Sequence, residues 1–104
     1  MITHHFAAQA LAALGHESRL AIFRLLVRAG PDGLNVGDIA QELGIAASTL
    51  AHHLKSLVDA GLVAQERIGR QIVNRVDFGV MQQTLSFLTA ECCTGVTLNQ
   101  NTAA

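Results

Sequence analysis

The sequence predicts a mainly α-helical single domain carrying one β-hairpin, and three observations predict it. At 104 residues, one hydrophobic core is the expected solution. Half of the residues are apolar, yet there is no tryptophan, no tyrosine and only four phenylalanines. Such a core must be built from Leu, Val, Ile and Ala, which suits helices better than a sandwich. Apolar residues recur at three- and four-residue spacing along most of the chain, and they alternate with polar ones only in "LVAQERIGRQIVNRV".

Taken in order, Phe6, Ala10, Leu11 and Leu14 form a short helical stripe that Gly15 ends, with His4 and His5 in an end expected to be mobile. "HESRLAIFRLLVRAG" places Leu20, Phe23, Leu26 and Val27 inward and Arg19, Arg24 and Arg28 on other faces, and it closes at Gly30-Pro31. "GPDGLN" reads as a turn. A two-turn helix then puts Val36, Ile39, Ala40 and Leu43 on one face and stops at Gly44. The next helix turns Leu50, Leu54, Leu57 and Val58 inward, leaves Ser48, Thr49, His52, Lys55 and Ser56 outward, and breaks at Gly61. Ala46 stands where a capping side chain is normally found, a loss of about 1 kcal/mol.

The alternating stretch sets Leu62, Ala64 and Ile68 on one side, Gln65 and Arg67 on the other, and turns at Gly69-Arg70. Glycine first in a two-residue loop suits a II′ turn. Asp77 then caps a last helix bearing Phe78, Met81, Leu85 and Leu88 and continuing to Cys92. A short helix, a glycine turn and a longer helix with a polar outer face outline a helix-turn-helix, and a hairpin directly after it is a wing. The expected architecture is a dimeric winged helix-turn-helix of five helices, with the domain over residues 1–95 and a flexible tail over 96–104.

The amino terminus has no basic residue before its short apolar run, so neither a secretory signal nor a membrane helix is expected, and the chain reads as cytoplasmic. In a reducing compartment thiols stay free, and adjacent cysteines close a ring only with strain; a structural disulfide between Cys92 and Cys93 is not expected. The formal net charge of −1 is low for a DNA binder, but Ser48 to Val76 holds Lys55, Arg67, Arg70 and Arg75 against Asp59 and Glu66. On the longer helix Ser48, Thr49 and His52 can reach base edges or phosphates, and Ala47 and Ala51 can meet thymine methyl groups. Lys55 is the candidate phosphate contact and Arg70, at the wing tip, the backbone or minor-groove contact. Arg67 and Arg75 read equally well as ordinary surface charges. His52 and His53 are neighbours on a helix and point apart, so they do not form a metal pair.

"STLAHHLKSLVDAGLVAQERIGRQIVNRV" and "HESRLAIFRLL" resemble the ArsR/SmtB family of dimeric winged-helix repressors, over roughly residues 7 to 91. The resemblance implies operator DNA as partner and a homodimer built from the first and last helices, here Leu11, Phe78, Met81, Leu85 and Leu88. It also implies two recognition helices in successive major grooves and a ligand that weakens DNA binding. The family's Cys-x-Cys metal site is absent, since Asn35-Val36-Gly37 stands there, and its Asp-x-His zinc site is absent, since Asp77 is followed by Phe78 and Gly79. Cys92-Cys93 is similar to the arsenic-responsive subgroup with a terminal Cys-Cys pair. That similarity implies trivalent arsenic or antimony as inducer, held by Cys92 and Cys93, with no other cofactor. Soft thiolates prefer such soft acceptors. The subgroup's third cysteine is missing from Val96 to Asn99, so a small thiol, hydroxide or another third ligand completes the site, or the inducer is a methylated trivalent arsenical that needs only two sulfurs.

Exposed thiols also suit a redox or reactive-sulfur responsive repressor. A thiol enzyme lacks its Cys-x-x-Cys, its cation beside the thiol and any phosphate-binding glycine loop; no enzyme is expected. A winged helix used only for protein contacts is supported by nothing but the alanines of the recognition surface.

Overall fold

Each helix starts at a residue whose side chain accepts a backbone N–H, with one exception. In the computed structural model, which describes residues 2–98, α1 spans His4–Leu14, α2 Glu17–Ala29, α3 Val36–Leu43, α4 Ala47–Asp59 and α5 Phe78–Thr89. Thr3, His16, Asn35 and Asp77 accept from the amides of Phe6, Ser18, Asp38 and Val80 respectively. Such caps typically contribute about 1 kcal/mol each. Ala46, ahead of α4, offers none, as its apolar side chain dictates.

Three short strands join the helices. β1 is Leu34–Asn35, β2 Val63–Ile68 and β3 Gln71–Val76, in the antiparallel order β1-β3-β2. Ile68 pairs with Gln71, so Gly69 and Arg70 form a two-residue loop. Among the two, only Gly69 has positive φ, at 62°, the pattern of a II′ turn. The wing is therefore a hairpin of the kind expected.

β1 was hidden in the stretch read as a turn. It exists because β3 carries Asn74, fully buried, whose amide donates to the Leu34 and Ile72 carbonyls while its oxygen accepts from Gln65. A buried amide satisfied on both ends ties three strands together. Gly33 lets the chain enter β1, since a Cβ there would collide with the Asn74 carbonyl.

The core lies where α2, α3 and α4 meet the base of the sheet, and its buried residues include Ile22, Leu26, Ile39, Leu50, Leu54, Leu57 and Leu62. α2 is phased differently from expectation: Ile22 is buried and Leu20 is 45% exposed. The reason is that Ile22, Phe23 and Leu26 form the stripe that this core uses, one step round the helix. The wing also departs from its expected alternation. Val63 is buried, but Ala64 and Ile68 are exposed, because the ribbon leaves the helices after its first residue.

Both ends of the helical frame differ too. His4 and His5 belong to α1 rather than to a mobile end, and the His4 ring meets Phe87 edge-on with centroids 5.0 Å apart. α5 stops at Thr89, three residues before the expected Cys92. Ala90 turns extended and Glu91 takes a φ of 60°, which ends the helical hydrogen bonding without a glycine or proline. Of the expected tail, Val96 to Leu98 are exposed coil, and residues 99–104 lie outside the described ones.

Candidate DNA interface and thiol site

α4 is held by its apolar face, and this fixes what its other face presents. Leu50, Leu54 and Leu57 are buried, so Ala47, Ser48, Thr49, Ala51 and His52 are all exposed along the start and outer side of the helix. Among the described residues, the Ser48, Thr49 and His52 side chains make no hydrogen bond within the chain. Their polar atoms are available to an outside partner. Lys55 is exposed as well, with its Nζ 2.7 Å from Asp59 Oδ2. Exposed pairs of this kind contribute at most about 1 kcal/mol, so a phosphate can compete for the ammonium.

On the wing, the charges divide. Arg75 donates to the Pro31 carbonyl at 2.9 Å and to Glu66 at 2.8 Å, which makes it a strut between the sheet and the turn after α2. Arg70 at the tip and Arg67 on β2 are exposed and in no ion pair among the described residues. The sequence left Arg67 open between a DNA contact and an ordinary surface charge; its cross-strand partner Ile72 and its freedom from Glu66 emerge only from the fold. The free positive charge of this region thus sits on the hairpin.

His53 lies behind this surface. It is buried, its Nδ1 has no hydrogen-bond partner, and its ring centroid is 4.8 Å from that of His16 and 5.8 Å from that of His52. The two adjacent histidines of α4 therefore face different surroundings, one core and one solvent. Burial lowers the His53 pKa below its ordinary value, and the neighbouring His16, Arg19 and His52 lower it further. A histidine with a depressed folded pKa binds its proton more readily when unfolded, so stability falls as pH drops below about 6.5 and levels off below the folded value. His53→Leu is expected to flatten that part of the stability curve, and urea unfolding of both proteins at pH 7.5 and at mildly acid pH checks it. An unchanged slope would contradict the assignment.

The second feature lies just beyond α5. Cys92 and Cys93 are exposed, free and have their Sγ atoms 2.7 Å apart. Two turns frame them, with Cys92 N donating to Thr89 O and Thr94 N to Glu91 O. The hydrogen bond shared with Cys93, and then desolvation, raise the Cys92 pKa above its ordinary value. A groove of about 470 Å³ lies between the start of the chain and the end of α5, lined by Ile2, Gln83, Ser86, Phe87, Ala90 and Glu91 but by neither cysteine. Among the described residues, no group of three or more His, Cys, Asp or Glu side chains is arranged to hold a metal ion.

The expected dimer residues fall into two sets. Phe78 and Met81 are half-buried against the chain's own core. Leu85 is 52% exposed, Leu88 56% and Leu11 38%. The inner side of α5 is instead carried by buried Thr84, whose hydroxyl donates to Val80 O, and by Phe87 against His4.

A family model described as a helix-turn-helix domain matches residues 14–66, just over half of the chain. The chain belongs to this helix-turn-helix family. The solved structure of an ArsR-like transcriptional regulator from Rhodococcus sp. RHA1 is 28% identical, with a TM-score of 0.73 over 82% of this chain and 77% of that one. The fold is thus the winged helix-turn-helix of the ArsR/SmtB regulators. A homodimeric winged helix-turn-helix domain from Mycobacterium bovis, a possible ArsR-family regulator, shares the fold at a TM-score of 0.68 and 24% identity, over 91% of this chain and 89% of that one. Among curated proteins, the HTH-type transcriptional regulator NmtR of Mycobacterium tuberculosis is 44% identical over 66 residues, which are 64% of this chain and 52% of that protein. The matched stretch spans between about half and two thirds of the curated relatives. These relatives are regulators rather than enzymes, in agreement with the expectation for this helix-turn-helix protein. No helix among the described residues is long and apolar enough to cross a membrane.

Proposed function

We propose that this helix-turn-helix protein is a homodimeric DNA-binding transcriptional repressor that leaves its operator when trivalent arsenic or antimony binds Cys92 and Cys93. The observation that carries the DNA part is the outer face of α4, whose hydroxyl and imidazole groups are exposed and unspent while its inner face is locked in the core. Such a helix can enter a major groove and set Ser48, Thr49 and His52 against base edges, with Ala47 and Ala51 near thymine methyls. Lys55 and Arg70 then lie toward phosphates or the minor groove. Regulators among its relatives and a homodimeric structural neighbour support the reading.

The sensing part rests on the thiol pair. Two exposed sulfurs in contact, held by turns rather than by a helix, can open to chelate one soft atom. With only two protein sulfurs, the third position on arsenic falls to a small thiol, hydroxide or methyl group.

Alanine variants test the DNA contacts. Ser48→Ala and His52→Ala are each expected to cost about 1–3 kcal/mol on operator and little on random DNA. Arg70→Ala is expected to weaken both DNAs and flatten the salt dependence. Titrations of each variant on both DNAs at several salt concentrations decide it: equal losses on both DNAs for all three variants would remove the direct reading of bases by α4.

A further inference from the structure

The contact between the two sulfurs has a second chemical meaning. An S–S bond is about 2.05 Å long, and the Cys92 and Cys93 sulfurs stand at 2.7 Å with no other residue between them. The backbone holds them there: Glu91 and Cys93 have φ values of 60° and 67°, and the amides of Cys92 and Thr94 close consecutive turns on Thr89 and Glu91. Positive φ at two non-glycine residues within three positions is uncommon, and here it places both side chains on one side of the turn. Both thiols are exposed, so an oxidant reaches them.

We propose that Cys92 and Cys93 are a two-electron redox site, closed by hydrogen peroxide into a disulfide within one chain and reopened by a small thiol. In the first step one sulfur, as thiolate, attacks a peroxide oxygen. The O–O bond breaks, hydroxide leaves, and a sulfenic acid forms. In the second step the neighbouring sulfur attacks the sulfenic sulfur, the S–O bond breaks, and the oxygen leaves as water. Two thiols have then lost two hydrogens and two electrons, and one peroxide has become two waters.

The ring is reversible for a geometric reason. Adjacent Cα atoms are about 3.8 Å apart, inside the roughly 4.4 Å lower bound of ordinary disulfides. A strained and exposed bond is readily reduced, which is the property of a regulatory rather than a structural disulfide. The inference does not require the metalloid reading. Where that reading holds, oxidation removes both donors at once and silences the response to arsenic.

Mass spectrometry of the full chain tests it. The reduced protein is treated with one equivalent of hydrogen peroxide, then digested with trypsin; Arg75 is the last basic residue, so both cysteines fall in the peptide that begins at Val76. The expected result is loss of two hydrogens from that peptide, single-chain mobility on a non-reducing gel, and full recovery with dithiothreitol. Cys92→Ser should lose the change and hold a sulfenic acid on Cys93 that dimedone traps. A disulfide joining two chains, or added oxygen without loss of hydrogen in the wild-type peptide, would overturn the proposal. Because arsenic plays no part in this readout, a failure of the metalloid reading leaves it intact, and the reverse also holds.

Discussion

Leu85→Glu is expected to split the proposed dimer into folded single chains and to abolish operator binding at working concentrations. Leu85 and Leu88 stand more than half exposed on α5, and Leu11 of α1, which packs on α5, is 38% exposed. Exposed leucines at helical spacing on α5 are of the kind that interfaces cover. Burying one leucine side chain contributes about 1.5–3 kcal/mol, and two-fold symmetry counts each substitution twice. A carboxylate in its place adds a desolvation cost of several kcal/mol unless it is neutralised. The combined loss, at least ~4 kcal/mol, corresponds to about a thousandfold weaker association. Light scattering and circular dichroism check it together. A dimer that persists with native helix content would place the interface elsewhere.

The second large effect concerns the thiols. Cys92→Ser/Cys93→Ser is expected to bind operator as the unaltered protein does and to stay bound when arsenite, methylarsenite or antimonite is added. Both sulfurs lie outside α5 and far along the chain from α4, so their replacement leaves the recognition surface intact. A ligand moves an equilibrium only by its difference in affinity between two forms. With no thiolate to bind, that difference vanishes. The single variants should behave in the same way, since one sulfur cannot chelate. Gel-shift titration of each variant decides it, and release of the double variant by any of the three ligands would remove the thiols from the sensing site.

Much of this arrangement was legible in the residues, and the parts that were not share a cause. The helix-turn-helix showed itself through Leu50, Leu54 and Leu57 at helical spacing and the glycine at 44; the wing showed through Gly69 at the first position of a two-residue loop. Asp77 announced the start of α5 as a capping residue should. These are local signals, set by one residue's own chemistry. By contrast β1 depends on Asn74, forty residues away, and no pattern within Leu34 and Asn35 marks it. The phase of α2 is decided by which face its neighbours leave open, so Leu20 and Ile22 exchange the places that spacing alone assigns. Ile68 fits an alternating strand, but alternation buries a residue only where another layer covers it, and the ribbon leaves that layer after Val63. α5 ends at Thr89 with no glycine or proline to mark it.

The candidate site divides along the same line. The polar outer face of α4 and the adjacency of the cysteines are plain in the sequence. The neutralisation of Arg75 by Glu66, the freedom of Arg67 and the meeting of His53 with His16 are tertiary facts. His16 looks like a linker residue between two helices. In the fold it caps α2 through Nδ1 and stacks behind the recognition helix, which joins the start of one helix to the placement of another.

In the proposed mechanism a thiol pair just beyond α5 controls the hold of α4 on DNA. Fluorescence anisotropy of the reduced protein on its own promoter DNA, titrated separately with arsenite, methylarsenite and antimonite, tests it most directly. Release is expected near stoichiometric ligand, with methylarsenite or antimonite at least as effective as arsenite because only two protein sulfurs take part. Anisotropy that stays at the bound value through excess of all three ligands would contradict it.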